Sequence, residues 1–133
     1  MIRKIALAVS LGLLPAAVVA QDAAAPAEAA PADPGVTYEA ARNQLGILQY
    51  CQEQGFTGAE AVEAQGQLVA LLPEGDDAVG SAAEQKGAEG TVSVGGTEVS
   101  LAQAVEERGS TVEATCQQIE AAVNEIAPTL PAG

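Results

Sequence analysis

The sequence has no histidine and no tryptophan, only two tyrosines and one phenylalanine, and five basic residues against eighteen acidic ones. Each shortage excludes something. Without histidine the commonest general base near neutral pH is missing, and no serine or threonine has an evident activating partner. The commonest transition-metal ligand is missing with it. A formal net charge of −13 without a Lys/Arg cluster repels phosphate, which excludes nucleic acid as a partner. The same charge makes an anionic bilayer unfavourable at neutral pH. The 133 residues support one small domain. Of these, 48% are nominally hydrophobic, but 29 residues are alanine, so any core is thin.

What is present begins with an address. Arg3 and Lys4 precede an apolar run from Ile5 to Leu14, Pro15 breaks it, and Val18-Val19-Ala20 supplies small residues. This reads as a secretory signal peptide over residues 1–20, cleaved between Ala20 and Gln21. The run spans roughly 15 Å as a helix, half of a ~30 Å hydrocarbon core, which is too short for an anchor. After cleavage three basic side chains face eighteen acidic ones, a net of −15. The expected location is therefore periplasmic or secreted.

In that oxidising setting the two cysteines, Cys51 and Cys116, are expected to pair. A redox role would favour a C-x-x-C spacing, whereas 64 residues lie between these two. The bridge is read as structural.

Residues 21–35, rich in Ala and Pro with scattered acids, offer nothing to bury and read as a disordered tether. A helical domain is expected over 36–127, followed by a disordered tail over 128–133. The first helix is expected from Tyr38 to Gln54, capped by Thr37 and stopped at Gly55, with Tyr38, Ala41, Leu45, Leu48, Ile47 and Cys51 on its apolar face. A capping box of Thr57 and Glu60 opens the next helix, which Pro73 ends near Leu72. Residues 78–89 contain Gly80 and Gly87, each disfavouring a helix by about 1 kcal/mol relative to Ala, and read as short and frayed. Gly95-Gly96 between Thr91–Val94 and Thr97–Ser100 is a hairpin signal.

Two more capping boxes, Ser100 with Gln103 and Ser110 with Glu113, predict helices from Leu101 to Arg108 and from Thr111 to Ala127. Val112, Cys116, Ile119, Val123 and Ile126 form the cleanest helical stripe in the chain. Cys51 and Cys116 both fall on apolar stripes, so the bridge should staple the first helix to the last. The fold class is thus mainly α: a disulfide-stapled bundle of four or five short helices with a small β-hairpin near 91–100.

No catalytic, cofactor or metal site is read from the residues. Adjacent Glu106 and Glu107 read as a solvated helix face. Glu74 with Asp76-Asp77 reads as an acidic turn, because it lacks the alternating oxygen ligands and glycine of an EF-hand loop. Leu101 to Ile119, hinged at Gly109, has the outline of a helix-turn-helix but the wrong charge for DNA. The segments Gly58–Leu72 and Thr111–Ala127 span roughly 23 and 26 Å as helices, and both carry Glu and Gln on their polar sides.

The stretch Tyr38-Glu39-Ala40-Ala41-Arg42-Asn43-Gln44-Leu45-Gly46, continuing through Leu48, Tyr50-Cys51 and Glu53, resembles a group of small exported bacterial proteins. Lys86-Gly87, Gly90-Thr91-Val92-Ser93, Leu101-Ala102 and Cys116 fit the same group. Its members are identified as pore-forming proteins of the early secreted antigenic target (ESAT) type. The resemblance covers nearly all of the helical domain. It implies an exported helical protein that acts on membranes, and it assigns no pore-lining residue.

The expected function is that of an exported, non-enzymatic protein acting by interaction with a membrane or an unknown protein partner, with oligomers left open. The alternatives are a periplasmic binding or acid-activated chaperone-like module and an envelope structural protein.

Overall fold

The computed structural model describes residues 33–132. The signal peptide, the cleavage point between Ala20 and Gln21, and the tether up to residue 32 lie outside them. Within the described residues the chain is mainly helical: α1 Pro34–Glu53, α2 Ala59–Leu71, α3 Asp77–Ala88, β1 Thr91–Val94, β2 Thr97–Ser100, α4 Leu101–Glu106, α5 Val112–Ile126 and a 3-10 turn Ala127–Thr129. This is the expected class, with the hairpin at the expected residues.

The first helix starts earlier than its apolar pattern indicates. Asp33 caps it, its carboxylate accepting from the Gly35 N–H at 2.8 Å, and Pro34 takes the first helical position, where its missing N–H is harmless. Positions 34 and 35 therefore belong to the helix rather than to the tether, and Thr37 is an interior residue. Gly55 sits just past the end with φ 78°, as a helix stop requires.

α1 is the central element, and α2, α3, β1 and α5 all pack on it. Its most extensive contact is with α3, the helix whose glycines predicted fraying. That prediction fails because both glycines are buried in the interface. A Cβ on Gly46 of α1 would lie 2.8 Å from the Ala88 nitrogen, and one on Gly87 would lie 2.8 Å from the Ile47 nitrogen. Gly80 is filled in the same way by the Tyr38 ring. The propensity penalty is offset by backbone contact that any larger residue would prevent. Asp76 then caps α3, accepting from the N–H groups of Ala78 and Val79.

The capping box at Thr57 does not form. Gly58 is the N-cap of α2, and its N–H donates 2.8 Å to Glu120 Oε1, reached across from α5. Thr57 Oγ1 is left buried without a hydrogen-bond partner. On α2, Ala61, Ala64 and Gln65 are buried, whereas Leu71 is 56% exposed.

The hairpin pairs Val92 with Val99 and Val94 with Thr97, and Gly95 and Gly96 turn it with φ 60° and 79°. Both positive angles belong to the mirror-image turn that matches strand twist. Asn43 of α1 holds the hairpin in place. Its Nδ2 donates to Ala83 O at 2.8 Å and Thr91 O at 3.0 Å, while its Oδ1 accepts from Ser93 N at 3.1 Å.

Ser100 caps α4 as expected, but α4 stops at Glu106 rather than Arg108. Thr111, not Ser110, caps α5, accepting from Ala114 N at 3.1 Å. On α5 the stripe buries Cys116 and Val123, while Ile126 is 44% exposed. The chain stays structured past residue 127: the 3-10 turn follows, and Leu130 packs partly against the cluster of Leu48, Ala61, Ala64 and Val123. The second cluster joins Ile47, Cys51, Leu101, Val105 and Cys116.

Candidate functional site

The two cysteines form the expected bridge. Cys51 and Cys116 are both 0% exposed, with their Cα atoms 5.7 Å apart. The bond staples α1 to α5 inside an apolar cluster, away from solvent. Such a bond belongs to a non-reducing, extracytoplasmic setting. No helix among the described residues is long and apolar enough to cross a membrane.

The acidic residues singled out in the sequence take structural or solvent positions. Asp76 is the α3 cap, Glu74 is exposed, and Glu106 and Glu107 are exposed at the end of α4. No three acidic or sulfur side chains among the described residues are grouped to hold a metal ion.

One charged cluster does converge, between α1 and α3. Arg42 Nε donates to Glu84 Oε2 at 2.7 Å, Nη1 donates to the Tyr38 hydroxyl at 2.8 Å, and Nη2 reaches Ser81 Oγ at 3.3 Å. Tyr38 in turn donates to Asp77 Oδ1 at 3.0 Å, and Gln49 donates to Glu84 Oε1 at 3.1 Å. Arg42 also stacks 5.6 Å from the Tyr38 ring centre. Burial by itself lowers the Arg42 pKa, but the hydrogen bonds with Glu84 and Tyr38 outweigh it and the net direction is upward. The guanidinium thus keeps its charge up to strongly alkaline pH. Arg42 spends its three donor nitrogens on Glu84, Tyr38 and Ser81, which makes the cluster a clasp between α1 and α3. In the sequence Tyr38 stood out as an apolar position and Asp77 as part of an acidic turn; the members are too far apart in the chain to read as one cluster.

The remaining face of α1 is open. Its N-terminal half presents Ala40, Ala41 and Gln44 between α2 and the end of α5, leaving a hollow of about 350 Å³ also bordered by Leu68, Leu72 and Ile126. A second hollow of about 230 Å³ lies between Ala40, Ile47, Val94 and Ile119. A third, of about 480 Å³, is walled by Val99, Ala104, Val105, Arg108 and Ala122. Gln44 borders all three, and Val92, Leu101 and Ile119 border the second and third, so the hollows adjoin one another along α1.

Its origin is simple. Alternation along the hairpin turns Val92, Val94 and Val99 toward the hollows. Alanines on α1 leave the floor low. Gln44 is held by Gln65 at 3.4 Å, and Gln65 Nε2 donates to Ala41 O at 3.1 Å, so the polar floor groups already have partners. The walls are mostly apolar, with Thr115, Gln118 and Arg108 lining the third hollow, and Arg108 makes no ion pair among the described residues. Volumes of this size fall in the range of small-molecule and segment-binding sites. In the sequence the groove shows only as Ala40-Ala41 on an otherwise larger apolar face. Its walls come from four separate elements.

Comparison of the chain with known protein families, with curated proteins and with solved structures returns no match.

Proposed function

We propose that this is an exported, non-enzymatic protein that works by holding another molecule in the apolar groove along α1. The observation that carries the reading is the adjacency of three hollows along α1, which share Gln44 as a border and whose floor groups Gln44 and Gln65 are hydrogen-bonded to each other. Export is supported by the leader-like N-terminus and by the buried bridge, which suits an oxidising compartment. The non-enzymatic reading is supported by the absence of histidine and by the mutual neutralisation of Arg42 with Glu84 and Asp77.

Permeabilisation of membranes, which the ESAT-type resemblance implies, would need apolar stripes now in the core to turn outward while the bridge holds α1 to α5. Both readings are tested on the oxidised protein from Gln21 to Gly133. A neutral polarity-sensitive dye such as Nile red is expected to bind and brighten, and Ala41→Trp, which fills the hollow between α2 and the end of α5, is expected to weaken the signal. Liposomes are expected to retain their contents at pH 7 and pH 4. Dye release from them at either pH would overturn the binding reading in favour of pore formation.

A further inference from the structure

Three basic side chains fall among the described residues, and two of them are engaged. Arg42 pairs with Glu84 and Asp77, and Lys86 with Glu98. Arg108, exposed in the turn between α4 and α5, makes no ion pair among the described residues, although Glu106 and Glu107 directly precede it. Glu107 instead accepts from Gln103 Nε2 at 3.3 Å. In a chain with eighteen acidic residues against five basic ones, a cation left without a carboxylate is the exception. Its position is specific as well. Arg108 lines the third hollow, of about 480 Å³, and no acidic side chain among the described residues lines it too.

The lining of that hollow is graded in polarity. Ser110, in the same turn as Arg108, has its hydroxyl 3.4 Å from Thr115 Oγ1, so this turn abuts the first turn of α5. Along the same face of α5, Ile119 and Ala122 follow Thr115 by one and two helical turns. Val92, Val99, Leu101 and Val105 complete the apolar wall, and the second hollow extends it past Val92 to Ile47 and Val94. One cation beside an apolar wall suits a ligand with one anionic head and an apolar tail. A neutral ligand would leave the guanidinium unpaired, and a cationic one would be repelled by it. The planar donor fork of arginine matches a carboxylate, which is ionised at neutral pH. We infer that the third hollow binds a free fatty acid, with its carboxylate on Arg108 and its chain against Ile119, Ala122 and the valines. This names the ligand class for the binding function proposed above and rests on it. Its size lies within the range of small-molecule sites.

The probe is cis-parinaric acid, a fatty acid whose fluorescence rises when its chain leaves water. It is titrated at micromolar concentration into the oxidised protein from Gln21 to Gly133 at physiological salt and pH 7. Saturable binding is expected. It should weaken by roughly fivefold or more in Arg108→Gln and stay within about twofold in Lys86→Gln, which removes the same charge outside the hollow. Ala122 is exposed, so Ala122→Trp fills the hollow while sparing the core and should weaken binding by roughly tenfold. Laurate should displace the probe, and octanoate should do so far less well, because each buried methylene is worth about fourfold in affinity. Dodecanol, with the chain of laurate and no charge, should also be the weaker competitor. Equal displacement by dodecanol and laurate, or undiminished binding by Arg108→Gln, would overturn the inference, because the carboxylate would then have no site. Arg108-dependent binding to phosphatidylglycerol vesicles that laurate does not displace would also overturn it, since the anion would then be a membrane headgroup. If Nile red binds and parinaric acid does not, the ligand class falls and the binding function stands. If neither binds, both fall.

Discussion

Gly46 of α1 and Gly87 of α3 occupy the same crossing, each placed where the other helix's backbone leaves no room for a side chain. The contact is reciprocal: a Cβ on Gly46 would meet the backbone at Glu84 and Ala88, and one on Gly87 would meet the backbone at Asn43, Gly46 and Ile47. Backbone cannot swing aside as a flexible side chain does. Alanine at either position is therefore expected to destabilise the fold by about 1–3 kcal/mol despite its better helix propensity. Gly66 of α2, with nothing near its hypothetical Cβ, is the control: Gly66→Ala should stabilise by roughly 0.5–1 kcal/mol. Urea midpoints of the three variants check the contrast, and an order in which Gly87→Ala is as tolerated as Gly66→Ala would refute the tight crossing.

The Asn43 side chain, 3% exposed, supplies three hydrogen bonds to α3 and β1. Asn43→Leu keeps similar bulk and leaves the Ser93 N–H and two carbonyls without these partners. A loss of about 2–3 kcal/mol is expected, in line with the penalty for unmet buried groups. Hydrogen exchange should show the Ser93 amide losing protection ahead of the α5 amides; equal protection in both proteins would count against the role.

At the start of α2, two substitutions should move stability in opposite directions. Glu120→Ala removes the carboxylate that accepts from Gly58 N–H and should cost about 1 kcal/mol. Thr57→Val replaces a buried hydroxyl that has no partner by a methyl group of similar shape, and should be neutral or stabilising. Thermal melts of both variants suffice, and a destabilised Thr57→Val would mean that the hydroxyl has a partner.

Reduction of Cys51–Cys116 opens a loop whose ends are 65 residues apart in sequence. The chain-entropy model gives about 4 kcal/mol for such a loop, and the apolar clusters it joins are small. The reduced protein is expected to lose its helical circular dichroism at a markedly lower temperature. An unchanged melting temperature after verified reduction would show that the helices hold without it.

What the sequence revealed was what neighbouring residues determine together. Gly95-Gly96 between β-branched pairs dictates a turn, and Cys116 on the four-and-three stripe of α5 dictates an inward thiol. Ser100 caps the helix beside it. The failures share one cause, a partner distant in the chain. Gly87 reads as a helix breaker until Gly46 is set against it. Thr57 reads as a cap until Glu120 arrives from α5. Arg42 has no partner near it in the sequence, and α3 brings Glu84 and Ser81 to it. The groove was hidden for the same reason: Ala40 and Ala41 read as weak core positions, and only the splay of α2 and α5 about them makes a channel.

Asn43 has one more consequence, which concerns crowding. The groups it engages, Thr91 C=O and Ser93 N–H, are those that β1 turns away from β2, where a third strand would otherwise attach. A side-chain amide occupies that edge as a surrogate strand one residue long. The opposite edge belongs to β2, four residues with Glu98 exposed in the run, too short and too charged to template another chain. The two-stranded sheet of the described residues is thereby closed to edge-to-edge growth on both sides, which leaves the hairpin no open edge from which to seed aggregation.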